Sequence, residues 1–594
     1  MILRSLNDLY YRLLERGEIA PEGWTMERVS YAVEIDSQGE LLAITPLFET
    51  HVDKRGKIKK RPLMMEIPAR GTRTSAVIPH LLCDTAPYFF GIPNNKTIPP
   101  DRIDQVKSRA KECFVASKKL HTALLADIDD PDAQAVMRFY EKWDPDVADQ
   151  HPALRDIYEE VRTKGTLVWM TDGKYITENE AIKAAVGAFL SRDSGEIEEI
   201  IGQCLVTGER DRIARIHPLI KGVLGAQPSG ASLVGFNIES ACSYGRTQSY
   251  NAPVSERVAN AYAHALNHLL QSNDHKLVIG DVTLVFWAES SERSYPSLLA
   301  MSFNPDPEVI SIDSRTLKES VEMLSQGKTI DYREEQIDPN TPFFILGLSP
   351  NAGRISVRLF YRSSFGSLMR NINEHWKRLE IVKPAYDKRE LLTMWGLLYE
   401  TVNRNAENPK PSPQLAGDFF RAVIEGRRYP DTLLFAVLRR IFAEQGHVTR
   451  GRAALIKAYL LKNAENEIVK EAVNSVKLNE ETNYIPYILG RLFFVLEKLQ
   501  LDASPEINKT IRDRYFNAAC GTPAMVFPVL MKLAQSHLRK LDTKPANHHQ
   551  KQIAELLGRM DTSFPSHLSL QDQGVFALGY YHQRQKSFTK KEEK

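Results

Sequence analysis

The sequence contains few cysteines, and none of them are paired at a spacing that suits a metal. Among its 594 residues there are five cysteines and no Cys-x-x-Cys motif. An odd, scattered set excludes a disulfide framework, and without close pairs there is no cysteine-based zinc site. We therefore predict a reducing, cytoplasmic compartment and no cofactor; the cysteines are Cys83, Cys113, Cys204, Cys242 and Cys520.

Long apolar runs are also missing, and no uninterrupted run approaches the length of a membrane span. Residues 1–19 alternate charged and apolar side chains at helical spacing, which argues against a signal peptide. With 43% apolar and 26% charged residues, the composition is typical of a folded globular protein. The length predicts two to four domains, and we expect no membrane partner.

Net charge is almost absent as well. The chain has 77 lysines and arginines against 75 acidic residues, a formal charge of +2. A binding mode that relies on the field of the whole protein would need a far larger excess of one sign. Any binding of nucleic acid must therefore come from local basic patches.

Signatures of catalysis are lacking too. The sequence has no HExxH, no GxSxG and no His-Asp dipeptide. Gly327-Lys328-Thr329 resembles the end of a phosphate-binding loop, but Glu322 stands where the first glycine belongs, so we interpret Gly327 as a helix terminator. We therefore predict no enzyme and no catalytic residue.

Two polar clusters allow a metal interpretation. Asp127, Asp129 and Asp130 either bind a metal or cap the helix that Pro131 begins. The first interpretation, with a histidine of unknown position, leaves a metal-dependent nuclease acting on nucleic acid as the alternative function. His548 and His549 lie in a polar stretch, where we predict a solvated loop and no metal site.

Hydrophobic periodicity changes repeatedly in the first two thirds of the chain. A helix over 5–16 ends at Gly17, and the amphipathic run 254–270 predicts another helix. A capping box is expected over 177–180, opening a helix to Leu190. Antiparallel hairpins are predicted around turns at 36–39, 172–173, 280–281 and 350–353; if the last strand is regular, Arg354, Ser356 and Arg358 share one side.

Beyond residue 383 nearly every segment has helical spacing. We therefore predict an α+β protein, in which an N-terminal mixed α/β region with antiparallel hairpins precedes a C-terminal all-α bundle. The predicted domains are 1–383, with a subdivision near 165–215, and 384–594.

Basic residues are concentrated in 51–75, which contains eight lysines and arginines against two acids. Gly56, Pro62, Pro68 and Gly71 interrupt regular structure, so we predict a basic loop or pair of loops. Such a segment either contacts phosphates or is a solvated charge run.

Glycine, amide and hydroxyl residues dominate 217–251, where Glu239 is the only acid. Glycines let a ligand approach the backbone, and side-chain donors with little negative charge suit a polyanion. The segment is either a binding surface or a long polar loop without a special role.

Seven blocks in order resemble one family, the large subunit of the type I-C CRISPR Cascade complex; they are 73–92, 217–270, 282–289, 343–361, 487–500, 514–530 and 573–584. The resemblance implies a non-catalytic subunit that recognises the protospacer-adjacent motif on double-stranded DNA, helps to unwind it, holds the displaced strand and supports recruitment of the helicase-nuclease. Implied partners are the CRISPR RNA, the backbone subunits, the handle-binding subunit and the small subunit.

The resemblance extends to the small subunit over about 475–594. In type I-C systems that subunit can be translated from an internal start in the same gene. No methionine lies between Met394 and Met525, so such a start here would use another codon, at Val473, Val476 or Leu478.

Candidate contacts with DNA follow from residue chemistry together with the resemblance. Cations position the backbone while amides read base edges, and Gln227 is our candidate for a wedge or base-edge reader. The predicted duplex contacts are Lys54, Lys57, Lys59, Lys60, Arg61, Arg70, Arg73, Thr74, Asn94, Asn95, Lys96, Lys221, Gln227, Ser229, Gly230, Ser232, Asn237, Tyr244 and Gln248.

A second set of cations lies in the helical region and either lines a track for the displaced single strand or covers solvated helix faces. Its members are Arg439, Arg440, Arg450, Arg452, Lys457, Arg491 and Lys498. A third hypothesis for the whole chain is a scaffold that makes no contact with DNA.

Overall fold

The chain packs as two units in a computed structural model, which describes residues 1–52, 58–70, 76–94, 102–163, 165–192, 200–303, 314–407, 409–560 and 563–588. Unit 1 comprises Met1–Pro218 and Val234–Leu266, and unit 2 comprises Leu219–Leu233 and Asn267–Lys594. The polar segment 217–251 is therefore divided, because its residues 219–233 belong to unit 2. The predicted domain boundary after residue 383 stays a prediction.

Unit 1 contains both helices and strands, in groups along the chain. Its helices are α1 (Ile2–Glu15), α2 (Ala86–Phe90), α3 (Ile103–Leu125), α4 (Pro131–Lys142), α5 (Pro152–Arg155), α6 (Tyr158–Thr163), α7 (Glu180–Arg192) and α8 (Glu256–Gln271), whose last residues belong to unit 2. Its strands are β1 (Trp24–Val29), β2 (Tyr31–Ile35), β3 (Leu41–Pro46), β4 (Phe48–Val52), β5 (Ile58–Pro68), β6 (Cys83–Asp84), β7 (Leu167–Thr171), β8 (Lys174–Tyr175), β9 (Ile201–Gln203) and β10 (Arg210–Arg212).

The described strands of unit 1 form two larger sheets. One has the order β3-β2-β7-β6, with β8 also paired to β7, and β2 runs parallel to β7. Aromatic side chains pack against it, and Phe89 stacks on the fully buried Trp169 at 4.3 Å between ring centroids. The other sheet has the order β1-β5-β4.

Strand β5 corrects the prediction of a basic loop, since 58–68 is extended and paired. Residues 58–62 pair with β4, and the last of them, Pro62, lies opposite Phe48. Residues 63–68 pair with β1, beginning with Leu63 opposite Val29. Pro62 thus lies where the pairing changes from one neighbour to the other. A missing N–H is tolerated at such a position, which is why proline did not interrupt the strand.

Local turn signals in unit 1 are mostly confirmed. Helix α1 ends before Gly17, whose φ is +67°, and β7 and β8 meet at Asp172 and Gly173, with φ of +46° and +72°. The predicted capping box is wrong. Asn179 caps α7, because its Oδ1 accepts the N–H groups of Ala181 and Ile182 at 3.0 and 3.3 Å.

Unit 2 begins with strands and ends with helices. Its strands are β11 (Lys276–Ile279), β12 (Val282–Ala288), β13 (Ile330–Tyr332), β14 (Glu335–Ile337), β15 (Pro342–Asn351) and β16 (Arg354–Ser364), with α9 (Ser294–Phe303) and α10 (Ser314–Ser325) between them. The helices that follow are α11 (Phe365–Leu379), α12 (Met394–Tyr399), α13 (Pro413–Ile424), α14 (Asp431–Ala443), α15 (Arg450–Asn463), α16 (Glu467–Val473), α17 (Ile485–Ala503), α18 (Ile511–Gly521), α19 (Pro523–Leu538), α20 (Thr543–Gly558) and α21 (Leu570–Phe588).

The predicted hairpins of unit 2 join into an antiparallel sheet with the order β11-β12-β15-β16. Its last strand is not regular: Gly347 faces Leu359 while Leu348 faces Val357, which leaves Arg358 in a β-bulge. Arg354, Ser356 and Arg358 therefore do not follow the regular alternation that would place them on one side. Gly327 follows α10 with a φ of +80° and donates to Leu324 O, which confirms it as a helix terminator.

The helical region confirms the predicted fold class, with helices only from Phe365 onward in the described residues. Helices α17 and α21 approach closely, since a Cβ on Gly490 would lie 2.0 Å from Phe576 O and one on Gly579 2.3 Å from Tyr487 O. The solvated loop predicted around His549 is wrong. His549 is buried on α20, with Nε2 2.9 Å from Asp502 Oδ2, because tertiary packing outweighs the weak local preference of a polar segment.

Candidate nucleic-acid interface

The basic segment of unit 1 presents its cations on a strand. Lys60 is exposed on β5 opposite Thr50, and Arg61 is half-buried opposite Glu49. The backbone of Lys59 belongs to the same strand. A strand places successive side chains on alternating faces, so Lys60 and Arg61 point to opposite sides of the sheet. Lys54, Lys57, Arg73, Thr74, Asn95 and Lys96 lie outside the described residues.

Arg70 and Asn94 have different surroundings. Arg70 Nη2 lies 3.1 Å from Glu27 Oε2 on β1, and its side chain is only 14% exposed, so this guanidinium supports the sheet. Asn94 is exposed and lines a cavity of about 890 Å³ together with Thr85, Gln105 and Arg109. Amide, hydroxyl and guanidinium groups are of the kinds that form hydrogen bonds with the edges of bases.

The segment 219–233 of unit 2 is a loop that is fixed at both ends. Ile220 and Ala231 exchange backbone hydrogen bonds of 2.9 Å, which close the loop on itself. Lys221 N–H donates to Asn267 Oδ1 at 2.8 Å, and Leu224 N–H donates to Thr283 Oγ1 at 3.0 Å. These hydrogen bonds hold the backbone and leave the Lys221 side chain exposed.

The tip of this loop is a tight turn that points polar groups to solvent. Gly230 N–H donates to Gln227 O at 2.9 Å, and Gln227, Pro228 and Ser229 are exposed. Gly230 itself is buried with a φ of +105°, and a Cβ there would lie 2.9 Å from Leu219 Cβ. Glycine is required at this position for both reasons.

Ser232 is the point at which the loop joins the sheet. Its N–H donates to Gly353 O at 3.1 Å, and its carbonyl accepts the N–H of Ile355 at 2.9 Å. The loop is therefore a backbone-bonded extension of the β15–β16 hairpin. This pairing separates 219–233 from 234–251, which the sequence presents as one polar segment, and a single parallel bridge leaves no periodic signal by which it could be predicted.

A second polar loop, 243–251, belongs to unit 1 and is organised by Asn251. Its Oδ1 accepts Ser243 N–H at 2.8 Å, and its Nδ2 donates to Arg246 O at 3.1 Å and Gln248 O at 2.9 Å. Tyr244 is 98% exposed at the tip and has a φ of +54°. The sequence predicts side-chain donors throughout this segment, and the role of Asn251 in closing the loop has no separate signal there.

Other residues of the polar segment divide between surface and interior. Asn237 is exposed, whereas Gln248 is half-buried with a φ of +49°. His217 is 3% exposed, and its Nδ1 lies 2.7 Å from the Tyr262 hydroxyl. Burial lowers the pKa of His217 to about 4, so this end of the segment is core and not surface.

Three of the predicted displaced-strand cations are buried in unit 2. Arg452 is 1% exposed, with Nη1 2.6 Å from Glu444 Oε2. Lys457 is 1% exposed and donates to Glu380 O, while Arg491 is 4% exposed and donates to Gln583 Oε1 at 3.1 Å. The internal partners of Arg452 and Arg491 give these two a role in packing, whereas Lys457 has, among the described residues, a single backbone carbonyl as its partner. The assignment of the set to a track for the displaced strand stays a prediction.

The other four cations of that set differ in how far internal partners hold their side chains. Arg450 is held by Asp387 Oδ2 at 3.2 Å and by backbone carbonyls, and Arg440 by Glu444 Oε1 at 2.7 Å. Lys498 forms a salt bridge of 2.5 Å with Asp502 but keeps 42% of its side chain exposed. Arg439 is exposed on α14.

Acidic residues form no metal centre within the ranges that the structure describes, where no group of three or more histidine, cysteine or acidic side chains is arranged to hold an ion. Asp130 Oδ1 accepts Asp132 N–H at 2.9 Å and caps α4, as one of the two interpretations predicted. Asn179 Nδ2 also donates to Asp130 at 3.1 Å. Among the helices described, none is long and apolar enough to cross a membrane.

Comparison with known families decides the identity of this mixed α/β and helical chain. The model for CRISPR-associated protein (Cas_Csd1) matches residues 6–588. The chain belongs to this Csd1 family. Csd1 proteins are the large subunits of the type I-C CRISPR Cascade complex, in which their role is structural and generally non-catalytic. The resemblance predicted from the sequence is confirmed. No curated protein matches this Csd1 chain.

Proposed function

We propose that this Csd1 chain recognises the protospacer-adjacent motif on double-stranded DNA, helps to unwind the target and holds the displaced strand. Loop 219–233 carries the proposal. Its backbone is fixed by hydrogen bonds to Asn267, Thr283 and the β15–β16 hairpin, while Lys221, Gln227 and Ser229 are exposed. A fixed backbone with exposed amide, hydroxyl and ammonium groups suits the reading of a few base edges and phosphates.

Unit 1 supplies further groups of the same kind. Lys60 and Arg61 on β5 offer charge for phosphates, and Asn94 offers an amide beside Thr85 and Gln105. Tyr244 is an exposed aromatic side chain, and aromatic rings stack on unpaired bases. The sequence of the target is then read by the guide RNA, so the protein needs only these few contacts.

The proposed partners follow from membership of the family. They are the CRISPR RNA, the backbone and handle-binding subunits, the small subunit, and the helicase-nuclease that degrades the target. Arg439 and Lys498 remain the displaced-strand candidates with exposed side chains. The helical region 475–594 is proposed to correspond to the small subunit.

Salt dependence tests the binding of phosphates by β5. In assembled Cascade, the combined change of Lys57, Lys59, Lys60 and Arg61 to alanine should weaken duplex binding. The slope of log affinity against log salt should also fall by roughly 0.9 for each phosphate that is no longer neutralised. Lys174→Ala removes an exposed lysine on another strand of unit 1 and is the matched control. An unchanged affinity and slope would remove β5 from the interface.

Motif dependence tests the loop. Gln227→Ala should reduce discrimination between target DNA with the correct motif and DNA with an altered one, while assembly of Cascade stays intact. Equal weakening on both targets would exclude Gln227 as a reader. DNA crosslinks that map only to other subunits would instead favour the scaffold hypothesis.

A further inference from the structure

A cleft in the helical part of unit 2 contains a buried lysine whose charge is incompletely compensated. Lys457 on α15 is 1% exposed and donates one hydrogen bond, to the backbone carbonyl of Glu380. It forms no salt bridge with any described residue. An ammonium group has three N–H donors, and a buried charge without a full set of partners is costly.

The cleft beside Lys457 is large enough for a ligand. It has a volume of about 460 Å³ and is lined by α10, α11, α15 and the chain around Asn474. A second cavity, of about 280 Å³, shares Lys318, Trp376, Glu380 and Val476 with it. The two cavities therefore form one groove.

Cations outnumber acids along this groove. Lys318 is half-buried and Lys377 exposed, and among the described residues neither forms a salt bridge. The acids are Glu322 and Glu380 in the larger cavity and Glu390 in the smaller one, where Lys383 pairs with Glu390. Trp376 supplies an apolar wall.

We propose that this groove binds a phosphate group, held by Lys457 from the interior and by Lys318 and Lys377 at the rim. An oxyanion there supplies the acceptors that the Lys457 ammonium lacks, in a site of low dielectric where charge-assisted hydrogen bonds are strong. Burial lowers the pKa of Lys457 to about 8, a value that keeps it charged at neutral pH. The phosphate belongs either to a nucleic-acid strand or to a free nucleotide.

Binding by the full-length protein distinguishes these sources. The probes are inorganic phosphate and ATP, followed by calorimetry, and a fluorescent oligothymidylate, followed by anisotropy. Binding of the oligonucleotide without ATP assigns the groove to a nucleic-acid backbone, and the reverse assigns it to a free nucleotide. Absence of binding by all three probes overturns the proposal.

Two variants place the binding in the groove. Lys318→Ala with Lys377→Ala should weaken binding at least about tenfold, the order expected when charge-assisted hydrogen bonds are removed. Lys551→Ala removes an exposed lysine of α20 and should leave it unchanged. Equal affinities of the double variant and the wild type overturn the proposal.

Lys457→Met tests the buried group through stability. The bound probe should raise the melting temperature of the wild type but not that of this variant, since the thioether keeps the volume and removes the charge. A purely structural lysine would leave the ligand-dependent increase intact, and that result contradicts the assignment. If Lys457→Met does not fold, the Lys318 and Lys377 double variant decides.

Discussion

Ser232 pairs with Arg354 in an isolated parallel bridge, through which a polar loop becomes part of a sheet edge. The partners are more than a hundred residues apart in the chain. Because the Ser232 carbonyl accepts the N–H of Ile355, the backbone of the loop is tied to the β15–β16 hairpin. A binding loop on a rigid element loses less conformational entropy when it meets its ligand.

Gly230→Ala should destabilise the loop and weaken DNA binding. The new Cβ would meet Leu219 Cβ at 2.9 Å and Ile220 O at 3.2 Å, at a φ that alanine avoids. We expect a cost of about 1–3 kcal/mol, concentrated in the loop. Hydrogen exchange of the Ile220 and Ala231 amides measures this opening directly.

Gly208→Ala is the matched control for Gly230. Its φ is +82° and a Cβ there has no neighbour within 4 Å, so it introduces backbone strain without a clash. Faster exchange at Ile220 and Ala231 in Gly230→Ala alone supports the argument. Equal exchange in both variants would show that the close approach is relieved elsewhere.

Asn251→Ala and Tyr244→Ala should separate support of the 243–251 loop from contact with DNA. The first removes three hydrogen bonds and should lower the unfolding free energy by about 1–3 kcal/mol. The second removes a fully exposed side chain and should leave stability unchanged while weakening DNA binding. Denaturant unfolding and affinity are measured for both. Unchanged affinity in Tyr244→Ala would remove this side chain from the interface.

Arg452→Met should lower the stability of unit 2 strongly and should have little direct effect on DNA binding. Burial opposes ionisation of Glu444, but hydrogen bonds from Arg452 and Arg440 outweigh it and lower the pKa of Glu444 to about 2. Without Arg452, Glu400 and Glu444 lose a partner, at a cost of about 3–5 kcal/mol. Arg439→Met, on the exposed face of α14, should cost little. Similar denaturation midpoints for both variants would contradict the buried network.

Acid should destabilise unit 2 through its buried histidines. Burial lowers the pKa of both His375 and His582 to about 3, and each contacts a tyrosine hydroxyl. In the unfolded chain these histidines take up protons near pH 6.5, whereas in the folded chain they stay neutral until about pH 3. The free energy of unfolding therefore falls between about pH 6.5 and 3, by about 1.4 kcal/mol per pH unit for each histidine.

Unfolding at a series of pH values checks these histidines. His375→Gln removes one of the protons taken up on unfolding between about pH 6 and 4. The slope of the unfolding free energy against pH should therefore decrease by about 1.4 kcal/mol per pH unit in that range. His548→Gln, an exposed neighbour of the buried His549, is the control. Parallel curves for His375→Gln and wild type would show that His375 is not neutral in the folded protein.

Features that depend on neighbouring residues were predictable. Gly17 ends α1, and the turns at Asp172 and Gly173 and at Gly280 and Asp281 join the expected strands. Each requires only a turn residue between segments of clear periodicity. The candidate site was less accessible to this reasoning, because whether an arginine such as Arg452 faces solvent or a carboxylate depends on helices far along the chain.

The sequence by itself determined the order of elements, the change to helices in the last part of the chain, and membership of the Csd1 family, since these depend on local periodicity and on ordered blocks. Only the tertiary structure decided that Pro62 lies inside a strand, that loop 219–233 joins β16, and that Lys457 faces a groove. The physical reason is that burial and pairing are set by distant partners, whose interactions outweigh the preferences of single residues.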